Sequence, residues 1–121
     1  MASMNVQGDL RSRLSAALAP IEVRVKVPEK IKGKLVVVSR EGGARRNALI
    51  DGPGIGIRCW AQTELEAWEL AEAVADAMEK LPFSAGYASA EQEAMYSDPD
   101  PETGGPCWYL SYSLNTFKPK D

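Results

Sequence analysis

The sequence predicts an α+β fold, a mostly antiparallel sheet of about five strands with two helices on one face. Three observations carry this expectation. Several short segments alternate apolar and polar residues, the period of a half-buried strand. Two longer segments space apolar residues three and four apart, the period of an amphipathic helix. Runs of strands separate these helices in the order α-β-β-β-α-β-β, which disfavours a parallel sheet with alternating helices.

The first helix is expected over about Val6 to Ala19, where Val6, Leu10, Leu14 and Leu18 form one stripe; Asn5 is its cap and Pro20 its stop. Val23, Val25 and Val27 alternate with Arg24 and Lys26 as a strand that Pro28 ends. Leu35 to Arg40 is a second, valine-rich strand. Glu41 to Asn47 reads as a loop in which Gly42-Gly43 reverses the chain. Ala48 to Asp51 extends a strand until Asp51-Gly52-Pro53 breaks it. Ile55 to Ala61 is a third strand, with Ile55, Ile57, Cys59 and Ala61 on one face and Arg58 and Trp60 on the other. Thr63-Glu64-Leu65-Glu66 is a capping box opening a helix to about Leu81. Its expected inward side is Leu65, Trp68, Ala71, Val74, Ala75 and Met78. Gly86 to Tyr96 is a further strand, Asp98 to Pro106 a loop, and Cys107 to Phe117 a last strand with Trp108, Leu110, Tyr112 and Leu114 on one face. Residues 1–121 are read as a single domain, with 118–121 as a flexible tail.

Composition narrows the chemistry. A chain of 121 residues, 45% hydrophobic and 26% charged, suits one soluble core. A net charge of −3 argues against a dedicated nucleic-acid binder. Histidine is absent, which removes the usual general base and the commonest metal ligand. Cys59 and Cys107 read as buried free thiols, with a disulfide open only if their strands lie side by side. No secretory h-region precedes Leu18, and the longest aliphatic run, Leu35 to Val38, is too short to cross a membrane. The expected protein is therefore no enzyme, carries no cofactor or metal, and is made in the cytoplasm of its host cell.

Five features invite a functional reading. Gly52-Pro53-Gly54-Ile55-Gly56 leads into a strand, whereas a phosphate cradle needs a following helix, so it reads as a turn. Asp98, Asp100 and Glu102 echo a calcium loop, but Pro99 and Pro101 stiffen the backbone and the loop reads as an exposed connection. Arg45-Arg46, near Arg40, is either a solvated turn or a contact for an acidic surface or passing phosphates. The carboxylates Glu66, Glu69, Glu72, Asp76 and Glu79 line a wet helix face or meet a neighbouring subunit. Trp68 reads as core. Trp60 and Tyr109 alternate away from the apolar face of their strands, as interface anchors or under a helix. The candidate interface residues are thus Arg40, Arg45, Arg46, Trp60, Asp98, Asp100 and Glu102.

Three stretches carry a family resemblance: Pro20 to Val25 after a short helix; Gly56-Ile57-Arg58-Cys59-Trp60-Ala61 with Thr63 and Glu66 to Ala71; and Ser97 to Pro106 leading into Trp108 to Tyr112. Together they resemble the tail terminator proteins of long-tailed bacteriophages, particularly those of actinobacterial hosts, over about Asp9 to Phe117. The resemblance implies a structural virion protein at the tail–neck junction. Its subunits form a homo-oligomer, a hexameric ring, that caps the tail tube, stops its polymerisation and offers a surface to the head. The implied partners are the major tail tube protein and a head-completion or neck protein, with DNA passing through the lumen without sequence-specific binding. Other head–tail connector or neck proteins, and a small non-catalytic protein-binding adaptor, are the alternatives. Free sheet edges that continue into the next subunit suit cyclic closure.

Overall fold

The structure, a computed structural model, describes residues 5–45, 50–83, 86–102 and 104–117, with the backbone alone for 43–45, 50–51 and 83. Its elements are α1 (Val6–Leu18), β1 (Glu22–Arg24), β2 (Leu35–Arg45), β3 (Ile50–Trp60), α2 (Glu64–Glu79), a 3-10 turn (Leu81–Phe83), β4 (Tyr87–Ser97) and β5 (Cys107–Phe117). The five strands form one sheet in the order β1-β2-β3-β5-β4. Only the β1–β2 pair is parallel. The fold is α+β, in the element order the sequence predicts.

The helices form where expected because their ends are satisfied. Asn5 accepts from the Gly8 N–H at 3.2 Å, and Thr63 from the Glu66 N–H at 3.1 Å, each filling an orphan donor of a first turn. The Thr63 hydroxyl donates to Glu66 in turn. Val6, Leu10, Leu14 and Leu18 of α1 and Leu70, Ala71, Val74 and Met78 of α2 lie against one face of the sheet. There they meet Val36, Val38, Ile55, Ile57, Cys59, Leu110, Tyr112 and Leu114. Each fully buried Leu, Ile or Val side chain is worth about 1.5–3 kcal/mol, whereas an exposed ion pair such as Arg24–Glu22 is screened by water and contributes little. The helix–sheet layer therefore dominates stability.

Four expectations are corrected. The Val23–Val27 strand stops at Arg24. The Gln7 side-chain amide donates to the carbonyls of both Val25 and Val38, at 3.2 and 3.1 Å, where the β1–β2 ladder would continue past Arg24↔Val37. Gly42-Gly43 does not reverse the chain. It lies within β2, where the register passes from Arg40↔Ile55 to Gly43↔Pro53 and so fits one extra residue on β2. Gly42 has φ +98°, a value open to glycine.

Asp51-Gly52-Pro53 does not break a strand either. Pro53 pairs with Gly43, while the β3–β5 register steps from Asp51↔Thr116 to Gly54↔Ser113, so the missing proline N–H falls between ladder pairs. Lastly, Leu65 and Trp68 are 64% and 41% exposed. The buried stripe of α2 is Ala67, Leu70, Ala71, Val74 and Met78, because its small alanines let the helix approach the sheet closely. Arg46, Ala48 and the 118–121 tail lie outside the described residues.

Candidate functional site

The sheet face away from the helices carries the groups left over from the core. Strand alternation sends Leu35, Val37 and Glu41 of β2, Arg58 and Trp60 of β3, and Cys107 and Tyr109 of β5 to this side. At one end, Leu35, Val37, Trp60 and Cys107 bury one another, with Ile31 from the β1–β2 connection packed on them. This second apolar cluster explains Trp60: it is 6% exposed, without any helix above it.

Next to that cluster stands a polar network. Arg58 Nη1 donates to Asp98 Oδ2 at 2.7 Å, and its guanidinium carbon lies 4.8 Å from the centre of the Tyr109 ring. The Tyr109 hydroxyl donates to Glu41 Oε1, and the Tyr96 ring leans on Tyr109 at 5.4 Å. Gly56 makes room for this arrangement, since a Cβ there would overlap the Glu41 carboxylate. Burial is the largest single influence and works against the Arg58 charge, yet the hydrogen bond to Asp98, the Cys107 thiol and the charge of Asp98 together outweigh it and the pKa is raised. Burial, then the bond to Glu41, raises the Tyr109 phenol. The network pairs each of these charged groups with a partner across the strands.

The Asp98–Pro106 connection is an ordered extension of the β4–β5 hairpin. Asp98 N–H donates to the Cys107 carbonyl at 2.8 Å, and Asp100 N–H to the Gly105 carbonyl at 3.1 Å. Asp100 Oδ1 accepts from the Glu102 N–H at 2.9 Å, an Asx-type turn closed by Gly104 at φ +69°. Asp98 is thus committed to Arg58 and Asp100 to its own loop, so the calcium-like spacing does not converge on a common point. Among the described residues no group of three His, Cys, Asp or Glu is placed to hold a metal ion.

Between this hairpin and the β1–β2 connection lies a groove of about 690 Å³. Lys30, Ile31 and Lys32 line one wall, Asp100, Glu102 and Pro106 the other, and Trp60 is among its lining residues. The Trp60 indole N–H is buried and has no acceptor among the described residues. A buried donor left unpaired costs about 1–3 kcal/mol.

The structure therefore brings together Trp60, Asp98, Asp100 and Glu102 at one end of the strands. Arg45 ends β2 at the opposite end, and exposed Arg40 lies midway on the same strand. Arg58, Glu41 and Tyr96 were not among the sequence candidates. The alternation that singled out Trp60 also places Arg58 beside it. Glu41 gave no signal, because two following glycines marked it as loop. A second network pins α1 to β4: Tyr87 donates to Asp9 Oδ2 at 2.5 Å, and Arg13 Nε donates to the same oxygen at 2.7 Å.

The two cysteines lie on adjacent strands, diagonal across Cys59↔Trp108 and Trp60↔Cys107. They sit in clusters on opposite faces of the sheet. Both are free and buried, and burial raises both thiol pKa values, which keeps them protonated and poorly nucleophilic. Among the described residues no helix is long and apolar enough to cross a membrane. Neither protein-family models nor characterised proteins give a match to the chain.

Proposed function

We propose that this chain is a structural subunit of a long-tailed phage virion, a tail terminator that acts as a ring on the end of the tail tube. One observation supports it above the others. The candidate contact groups fall at opposite ends of the strands, Arg45 at one and the Asp98–Pro106 hairpin with its groove at the other. An eleven-residue strand spans roughly 35 Å, so the subunit offers two separated axial surfaces. A connector needs that arrangement, with one surface for the tube and one for the head or neck, and needs no reactive centre between them.

The decisive experiment is genetic. Phage lacking the chain should make tails of uncontrolled length that fail to join capsids, as seen by electron micrography. Tails of ordinary length that still attach to heads would end the proposal.

A second reading, a non-catalytic adaptor, draws on the groove between the β1–β2 connection and the Asp98–Pro106 hairpin. Native mass spectrometry in the presence of tail tubes separates the two. A six-fold species on tubes supports the ring, and a small fixed oligomer indifferent to tubes supports the adaptor.

A further inference from the structure

Charge is sharply zoned in this chain. Residues 5–45 hold nine Lys or Arg against four Asp or Glu, whereas residues 50–102 hold two against twelve. The first set builds α1, β1 and β2, and the second builds β3, α2 and β4. Because the sheet order is β1-β2-β3-β5-β4, β1 and β4 are the two lateral edges and the carboxylates of α2 fall toward the β4 side, whereas Asp98, Asp100 and Glu102 stand at the strand ends, across a groove from Lys30 and Lys32 of the β1–β2 connection.

The acidic edge is well defined. On α2, Glu64, Trp68 and Glu72 are four residues apart and share one stripe. That stripe faces the β4 side. Glu64 accepts from Trp108 Nε1 of β5 at 2.8 Å, and further along Glu79 lines a groove with Ala90 and Gln92 of β4. The opposite flank, with Ala73 and Ala77, faces α1. Glu91, opposite Ser113 of β5, lies on the other face of the sheet, so the exposed carboxylates beside Leu65 and Trp68 are those of α2: Glu64, Glu69 and Glu72. Amid these carboxylates Leu65 and Trp68 stand out in water. An exposed tryptophan inside a charged rim is the usual composition of an interface anchor.

The basic edge is its complement. Lys26, Lys30, Lys32 and Lys34 of the β1–β2 connection are exposed, and Val27 among them is 54% exposed. Both features lie at the same end of the strands. Leu65 is in the first turn of α2, five residues after Trp60, and the connection enters β2 at Leu35, the partner of Trp60. A copy set beside another would thus meet it without sliding along the strand axis. Such a head-to-tail contact closes into a ring when its rotation permits.

We propose that the Trp68 edge of one copy docks on the lysine-rich β1–β2 connection of a second copy, with Leu65 and Trp68 packing against Val27. The inference rests on the ring reading and adds the surfaces that build the ring. The far wall of the 690 Å³ groove, with Asp100 and Glu102, repels the docking edge and confines contact to the lysine wall.

The test uses the full chain and two charge-reversed variants, K30E/K32E and E69K/E72K, followed by sedimentation velocity across a concentration series at low salt. The wild type should self-associate, and more weakly as salt shortens the screening length from about 30 Å toward 8 Å. Each variant alone should bind itself about tenfold or more weakly, since like charges then face each other. An equimolar mixture should recover association, because both reversed surfaces again meet opposite charge. W68A should weaken self-association while unfolding like the wild type. A wild type that stays monomeric at millimolar concentration, or a mixture no better than either variant, overturns the contact. Tail length control in the phage experiment is scored separately, so loss of this contact and loss of the terminator role are distinguishable.

Discussion

Among single residues, Gly56 has the clearest consequence. It lies under the Glu41 carboxylate that receives the Tyr109 hydroxyl. In Gly56→Ala the new methyl displaces a flexible, exposed carboxylate. Stability should therefore change by less than about 1 kcal/mol. The phenol, however, loses one of the two main causes that raise its pKa, so Tyr109 should titrate at lower pH than in the wild type. Tyrosine-resolved NMR titration reads this directly, and an unmoved Tyr109 would show that Glu41 does not hold it. Residue-level surprises share one cause: side chains that reach across elements. Gln7 cutting short the β1–β2 ladder, and Glu41 reaching Tyr109 at a separation of 68 residues, are invisible to local periodicity.

For whole elements, α2 is instructive. Its existence and its Thr63 cap were legible, because propensity, capping and apolar spacing agree. Its rotation follows position more than bulk: Ala71, Val74 and Met78 face the sheet as expected, but Trp68 stands outward and Ala67, not among the expected inward residues, is fully buried. Two substitutions separate the cases. Trp68→Ala should change unfolding free energy by no more than about 0.5 kcal/mol, since it leaves the surface. Leu70→Ala should cost about 2–5 kcal/mol, since it opens a cavity beneath the helix. Urea denaturation of both variants checks the orientation, and a costly Trp68→Ala would contradict it. Strand limits were harder to read. Gly42, Gly43 and Pro53 carry turn chemistry, but a β-bulge and a gap between ladder pairs accommodate them inside a continuous ribbon.

Across the whole molecule, the buried hydroxyls and thiol set an alkaline limit. Burial, then the carboxylates Glu79, Asp76 and Glu72, push Tyr112 up from 10.0 to about 12. Burial, then Asp9, raises Tyr87, and burial raises Cys59 from 9.0. In each case the folded state holds its proton more tightly than the unfolded chain does. Stability is thus unaffected below about pH 9, falls as the unfolded groups ionise, and continues to fall until the folded pKa values are passed. Tyr112 accounts for about 2 kcal/mol of that loss by pH 12. Thermal unfolding followed from pH 8 to 12 should show the decline, and Tyr112→Phe should make it shallower; an equal slope would mean that Tyr112 ionises freely in the folded protein.

At this scale the candidate site was half legible. Trp60 and the acidic hairpin each stand out in the sequence, but their shared neighbourhood and their partners Arg58 and Glu41 come from pairings between distant segments. The zoning of charge between the edges emerges once the strand order is known, since sequence halves become molecular flanks only through topology.

The outer strand β4 slips register against β5 twice, between Tyr87 and Ser89 and between Gln92 and Ala94. Each slip adds a residue to the strand that has no further neighbour in the sheet, interrupting the regular rhythm of outward amides and carbonyls. A stray chain is thereby denied a long template for zipping on through its backbone. Newly made copies crowded in a cell are guarded against fusing into indefinite fibrils, while any association that depends on matched side chains remains reversible.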